Sequence, residues 1–131
     1  MTVFVDTSAL YALLDRDTAE HDRAAAAFDR LLETEPLVTH NYAVVEAETL
    51  VRGRLGMAAV RDLLDRLLAP VDVHWVDPDV HAAAAAALLA AGRRDLSLVD
   101  CVSFEVMRRL ALSTAFAFDR DFERAGFRTL P

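Results

Sequence analysis

Short runs of β-branched and aromatic residues alternate with longer segments of helical periodicity along the whole 131-residue chain, and this alternation constrains its fold more than any other feature. The alternation is typical of an α/β domain with a mostly parallel sheet. A chain of this length forms one domain, because it is too short for two independent cores. We therefore predict a single α/β domain over residues 1–131, whose four or five strands cover residues 2–5, 37–39, 71–76, 113–118 and 128–130.

The segments between these strands predict six helices that flank the sheet. Thr7 or Ser8 is expected to cap the first helix, which ends near residue 14, and Thr39 or Asn41 to cap the third, which ends near residue 52. The other helices are predicted over residues 18–33, 58–68, 77–92 and 98–110. Trp75, at the end of a predicted strand, is expected to lie in the core.

The charge of the chain excludes several classes of protein. Fourteen basic residues, all of them arginine, stand against 21 acidic ones, for a formal net charge of −7. This balance excludes a basic protein that coats nucleic acid, and it argues against a peripheral binder of anionic membranes. A hydrophobic content of 54% excludes a disordered chain.

The expected compartment is the cytoplasm. The single cysteine, Cys101, cannot form an internal disulfide, so nothing requires an oxidising environment. The amino terminus lacks the basic segment of a signal peptide. The longest uncharged stretch, residues 80–92, is too short to span a membrane, and no membrane association is expected.

Four acidic residues occupy unusual places in the sequence. Asp6 and Asp119 directly follow two predicted strands, and in a parallel sheet the ligand crevice lies beyond the carboxyl ends of the strands. Asp100 and Glu46 lie inside otherwise apolar stretches. Each residue alone has a structural explanation, such as a helix cap for Asp6 or Asp100. The four together favour an acidic site at one edge of the sheet.

Burial of an uncompensated carboxylate is costly, so these four acids need a counterion. Residues 41–51 and 95–107 contain no basic side chain that could pair with them. A hard divalent cation, Mg²⁺ or Mn²⁺, prefers oxygen ligands and needs only two to four carboxylates. The sequence therefore predicts a metal pocket. Weaker candidates, flanked by polar residues or on a predicted solvent face, are Glu48, Asp95 and Asp121.

These acids, in this order and context, resemble the motifs of the PIN-domain ribonucleases, and specifically of the VapC-type toxins of bacterial toxin–antitoxin pairs. The first motif is Val3-Phe4-Val5-Asp6-Thr7-Ser8-Ala9-Leu10. Glu46, after the stretch 39–45, matches the second motif, residues 96–104 match the third and residues 118–127 the fourth. The resemblance covers residues 3–127, and its specificity comes from all four motifs at family-like spacing.

The resemblance implies a three-layer PIN-like fold and a Mg²⁺-dependent endoribonuclease that hydrolyses phosphodiester bonds in RNA. It implies an acidic cluster in which Asp6 and Asp100 bind the metal directly, and Glu46 and Asp119 complete the site directly or through water. It also implies a VapB-type antitoxin as partner, and a homodimer. Relatives often carry Ser or Thr two residues before the last aspartate, where this chain has Ala117. A supporting role for a hydroxyl must then fall to Thr7, Ser8 or Ser97.

Other functions remain as alternatives. A PIN nuclease with a housekeeping role in RNA processing would share the same residues. A Mg²⁺ phosphatase or receiver-like domain with an acidic pocket is disfavoured, because the chain has no lysine to contact a phosphoryl group and has Ser8 where a dehalogenase-type phosphatase needs a second aspartate. A non-catalytic interaction domain would leave the four acids unexplained. The sequence does not identify the RNA target, the cleavage position or the number of metal ions.

Overall fold

A five-stranded parallel sheet with the strand order β3-β2-β1-β4-β5 organises the chain. In the computed structural model, which describes residues 1–131, the central strand β1 is Val3–Val5. Its residue Phe4 lies opposite Val38 on one side and Ala115 on the other. The remaining strands are β2 (Leu37–His40), β3 (Val71–His74), β4 (Thr114–Phe116) and β5 (Arg128–Leu130).

Seven helices connect and cover the strands. They are α1 (Thr7–Leu14), α2 (His21–Thr34), α3 (Asn41–Leu55), α4 (Met57–Arg61), α5 (Pro78–Ala91), α6 (Leu98–Arg109) and α7 (Asp121–Arg124). A π-helical segment, Asp62–Leu67, continues α4. None of the helices is both long and apolar enough to cross a membrane.

The two faces of the sheet carry separate parts of the core, as the alternation of side chains along a strand requires. Val3 and Val5 of β1 pack with Leu10 and Phe28 of α1 and α2 on one face. Phe4 points to the opposite face, where it packs in a cluster with residues of α6 and α7. Helix, sheet and helix therefore form three layers, which confirms the predicted fold class.

The structure differs from the predicted elements at the helix caps and at one aromatic residue. Thr7 or Ser8 was expected to cap α1, but the cap is Asp6, which agrees with the structural explanation that the sequence offered for this residue. His40 caps α3, where Thr39 or Asn41 was expected. The helix predicted over residues 58–68 is divided between α4 and the π-helical segment, and α7 was not predicted. Trp75 was predicted to be core but is 74% exposed, since β3 ends before it.

Candidate metal centre

The four predicted acids line one cavity of about 320 Å³ at the carboxyl edge of the sheet. Asp6 and Asp119 follow the neighbouring strands β1 and β4. Glu46 comes from α3, which begins directly after β2, and Asp100 comes from the first turn of α6. The topology thus brings together side chains that are up to 113 positions apart in the sequence.

Asp6 is the most deeply buried of the four, with 4% of its surface exposed. Its Oδ2 atom accepts hydrogen bonds from the backbone N–H of Ser8 (3.1 Å) and from the Ser8 hydroxyl (2.6 Å). The same hydroxyl oxygen accepts a hydrogen bond from the N–H of Phe118 (3.0 Å), so Ser8 joins the ends of β1 and β4. Burial raises the pKa of Asp6 to about 7; the bonds from Ser8 oppose this rise, and repulsion from Asp100 and Asp119 adds to it.

Asp100 is held by a reciprocal capping box at the start of α6. Ser97 accepts a hydrogen bond from the N–H of Asp100 on its hydroxyl, and Oδ2 of Asp100 accepts one from the N–H of Ser97, both at 3.0 Å. These two bonds fix the carboxylate relative to the helix. Burial raises the pKa of Asp100; the bonds from Ser97 lower it, and the charges of Asp119 and Asp121 raise it further.

Glu46 faces the cavity from the middle of α3 and is half-buried. Thr7 of α1 approaches the same helix, where its hydroxyl donates to the carbonyl oxygen of Ala43 at 3.3 Å. Burial raises the pKa of Glu46, contact with the Thr7 hydroxyl lowers it, and Asp100 and Asp119 raise it again. Thr7 of α1 thus contacts α3 at Ala43 and at Glu46, where it can position the Glu46 carboxylate.

Asp121 is a member of the acidic cluster that the sequence ranked among the weaker candidates. Carboxylate oxygens of Asp100, Asp119 and Asp121 all lie within 4.8 Å of one another. Asp119 Oδ1 accepts a hydrogen bond from the N–H of Asp121 at 2.9 Å. The Asp121 carboxylate also accepts from Arg93 (2.9 Å) and Arg124 (3.2 Å), so its charge is already compensated.

Two other positions bear on the predicted site. Ala117, where relatives often have a hydroxyl, does not line the acid cavity, and its side chain packs with Phe4 and Phe122 on the opposite face of the sheet. Arg54 is the one basic residue that lines the cavity. It lies beyond the segment 41–51, which has no basic residue, and it reaches the cavity because α3 continues to Leu55.

Comparison with known proteins identifies the family to which this fold belongs. A family model described as the PIN domain matches residues 3–128. The chain belongs to the PIN-domain family. It is 38% identical over 128 residues, 95% of each sequence, to a protein of Mycobacterium tuberculosis named the 23S rRNA-specific endonuclease VapC20. The activity class predicted from the sequence, a nuclease of the VapC type, is confirmed by this relationship.

Solved PIN-domain structures superpose on nearly the whole chain. The crystal structure of M. tuberculosis VapC20, described as a sarcin–ricin loop cleaving toxin, matches with a TM-score of 0.85 and 36% identity, covering 98% of this chain and 99% of that one. The VapBC2 structure from Rickettsia felis, solved on a promoter DNA fragment, matches with a TM-score of 0.74, 11% identity and coverage of 98% and 97%. At that low identity it shows the fold alone.

The donor set of this PIN domain fits a divalent metal ion. PIN nucleases are metal-dependent, and every side chain in the cluster offers a carboxylate oxygen, the ligand type that hard cations prefer. Three of the four predicted acids have raised pKa values through burial, and repulsion between the carboxylates contributes. A bound cation would relieve both effects, because it stabilises the charged form of each carboxylate.

Proposed function

We propose that this chain is a Mg²⁺-dependent endoribonuclease and the toxin of a toxin–antitoxin pair. The observation that carries the proposal is the convergence of Asp6, Glu46, Asp100 and Asp119 on one cavity of a PIN domain that shares 38% identity with VapC20. Mn²⁺ is an alternative ion, since it accepts the same oxygen ligands.

Each acid has a proposed task that follows from how it is held. Asp6 and Asp100 bind the ion directly, because capping bonds fix one oxygen of each carboxylate and leave the other oxygen available. Glu46 and Asp119 complete the coordination directly or through water, and Asp119 also orients the attacking water. When bound, Mg²⁺ lowers the pKa of a coordinated water and polarises the phosphoryl oxygen.

The supporting residues keep these carboxylates in place. Ser8 holds Asp6 and the end of β4, Ser97 holds Asp100, and Thr7 contacts α3 at Ala43 and Glu46. Their proposed role is positioning, since each hydroxyl is committed to hydrogen bonds within the protein.

The proposed substrate is RNA, and the relationship to VapC20 makes the sarcin–ricin loop of 23S rRNA the first target to test. The proposed partner is a VapB-type antitoxin. We further propose that residues 1–131 act as a single domain, that two copies form a homodimer, and that the protein works in the cytoplasm.

Expression of the wild-type chain and of Asp6→Asn in a bacterial host tests this function. Asparagine keeps the shape and the capping oxygen of Asp6 but removes its charge. We expect growth arrest and new RNA 5′ ends with the wild type, and neither with the variant at equal protein level. Equal arrest by both proteins would overturn the proposal, whereas RNA cleavage without arrest would favour a housekeeping RNA-processing nuclease.

A further inference from the structure

Two arginines lie over aromatic rings that line the acid cavity. Arg54 lines the cavity itself, and Arg23 lines an adjoining recess that shares Phe118 and Asp119 with it. The Arg54 Cζ atom lies 5.2 Å from the centroid of the Tyr11 ring, and the Arg23 Cζ atom lies 5.5 Å from the centroid of Phe118. Both guanidinium groups belong to exposed residues. Contact with an aromatic face restricts the motion of a guanidinium group while its N–H donors stay free at the edge.

These two arginines differ from the arginines that form ion pairs. Neither Arg54 nor Arg23 forms a salt bridge with a carboxylate within 4.0 Å. Asp15 is the acid nearest in effect to Arg54: the hydrogen bond from Tyr11, and further the charge of Arg54, lower the pKa of the Asp15 carboxyl. Six other arginines are in salt bridges with carboxylates of the chain: Arg52, Arg66, Arg93, Arg108, Arg109 and Arg124. Of the eight arginines that form no salt bridge, Arg54 lines the acid cavity and Arg23 lies beside it, in a chain with net charge −7.

The helix geometry places Arg54 away from the acids themselves. Glu46, Leu50 and Arg54 recur at four-residue spacing on α3, and all three line the cavity. Eight residues of α-helix correspond to about 12 Å along the axis. Arg54 therefore lies too far along the helix to bind a phosphate that lies beside Glu46. It faces a neighbouring part of any strand that crosses the cavity.

The ring beneath Arg54 is itself fixed. The Tyr11 hydroxyl donates a 2.6 Å hydrogen bond to Asp15, which ties the ring to the end of α1. On the other side, the N–H of Phe118 is bonded to Ser8, so the backbone beneath Arg23 is tied to the support of Asp6. Both guanidinium groups thus lie over rings that are held by α1 or by Ser8, which also hold the proposed metal ligand Asp6.

We propose that Arg54 and Arg23 bind RNA phosphates on opposite sides of the scissile one, and so position the strand across the acidic centre. This inference rests on the proposed function. A phosphodiester strand fits the arrangement because it carries one charge per nucleotide, and arginine binds phosphate oxygens through two parallel N–H donors. An acidic segment of an antitoxin would also match the two charges, but it would not need to cross the metal ligands.

Single-turnover cleavage of a labelled sarcin–ricin loop hairpin in Mg²⁺ tests the proposal. We expect Arg54→Ala and Arg23→Ala each to raise the protein concentration for half-maximal rate about tenfold, with a much smaller effect on the rate at saturation. Each substitution should also lower the slope of log affinity against log salt concentration by about one. Arg54→Lys should keep the salt slope and recover part of the affinity, because it keeps the charge but not the planar donor pair.

Matched controls lie on the same two helices. Arg52→Ala removes an α3 arginine that is paired with Glu48, and Arg30→Ala removes an α2 arginine that lines a different recess near the chain termini. Both controls should behave as the wild type. Unchanged half-saturation in both test variants, or weakened binding of the antitoxin alone, would overturn the phosphate role. Absence of hairpin cleavage by the wild type would instead refute the sarcin–ricin loop as the target, and this inference for that RNA with it, whereas the proposed endoribonuclease activity is tested separately by the RNA 5′ ends found on expression.

Discussion

His40 and Ser103 join the two helices that carry Glu46 and Asp100, through a buried hydrogen bond of 2.8 Å between His40 Nε2 and Ser103 Oγ. The N–H of Ala43 donates to Nδ1 of His40, so the proton of the neutral ring lies on Nε2 and is donated to Ser103. The Ser103 hydroxyl in turn donates to the carbonyl oxygen of Val99. The N-terminus of α3 is thereby connected to the first turns of α6 through side chains.

Ser103→Ala should destabilise the protein by about 1–3 kcal/mol, because it leaves the buried Nε2–H of His40 without an acceptor. Chemical denaturation monitored by circular dichroism measures this change. Thr34→Ala is a suitable control, since its hydroxyl bonds only the carbonyl oxygen of Arg30 on an exposed helix end. A loss for Ser103→Ala no larger than the loss for the control would contradict the importance of the connection.

Ser8→Ala should weaken metal binding about five- to tenfold, because it removes the shortest hydrogen bond that favours the charged form of Asp6, and a typical hydrogen bond contributes about 1 kcal/mol. The N–H of Phe118 also loses its acceptor, so a lower melting temperature is expected. Calorimetric titration with Mn²⁺ measures the affinity. Equal affinity for variant and wild type would show that Ser8 does not support the charge of Asp6.

The contribution of Asp6 to the stability of the metal-free protein should be lost as the pH rises through the range from about 4 to about 7. The pKa of Asp6 is raised by burial to about 7 in the folded chain, above its ordinary value of 3.8, so folding favours the protonated form. The contribution of Asp6 to the free energy of unfolding is complete below the pKa of Asp6 in the unfolded chain and disappears above its pKa in the folded chain. A pKa shift of this size corresponds to about 4 kcal/mol.

The pKa of His40, lowered by burial to about 4, acts in the opposite direction, because its contribution is lost as the pH falls from 6.5 to 4. Comparison with Asp6→Asn isolates the carboxylate, since both proteins contain His40. In EDTA, the variant should gain stability relative to the wild type between pH 5 and 7.5, and Mg²⁺ should reduce this gain at pH 7.5. A difference that is independent of pH would contradict the assignment.

Asp121→Asn should affect stability more than cleavage. The Asp121 carboxylate is buried and bonded to two arginines, so its loss leaves Arg93 and Arg124 without their shared partner and should cost about 1–3 kcal/mol. The cleavage rate should fall by less than about tenfold, whereas Asp100→Asn should abolish cleavage. Loss of cleavage by both variants, with folded protein, would place Asp121 among the metal ligands.

Strands β1, β2 and β4 were predictable because their residues are buried and form short, mostly apolar runs. The strand at residues 128–130 agrees with the prediction residue for residue. The cap of α3 was missed because its acceptor is a histidine ring nitrogen, outside the usual set of serine, threonine, asparagine and aspartate. The structural role of His40 depends on Ser103, 63 positions away, which no local pattern indicates.

For the site, the sequence predicted which acids would meet but not how their charges are arranged. Asp6 and Asp119 were recognisable because they follow strands, and the structure brings them together with Glu46 and Asp100 in one cavity, although their catalytic roles remain predictions. Asp121 was ranked low because such positions are flanked by polar residues or lie on a predicted solvent face. The short helix α7 instead turns it inward, where Arg93, from a loop 28 residues earlier, reaches it.

The capping bonds of Asp6 and Asp100 have a consequence for the thermodynamics of ion binding. Because both side chains are immobilised when α1 and α6 form, the loss of their rotational entropy belongs to folding. An arriving ion would meet preorganised ligands, and its affinity would be set mainly by its own dehydration and by the charge that it compensates. The backbone at this edge of the sheet is therefore expected to keep the same conformation before and after the ion enters.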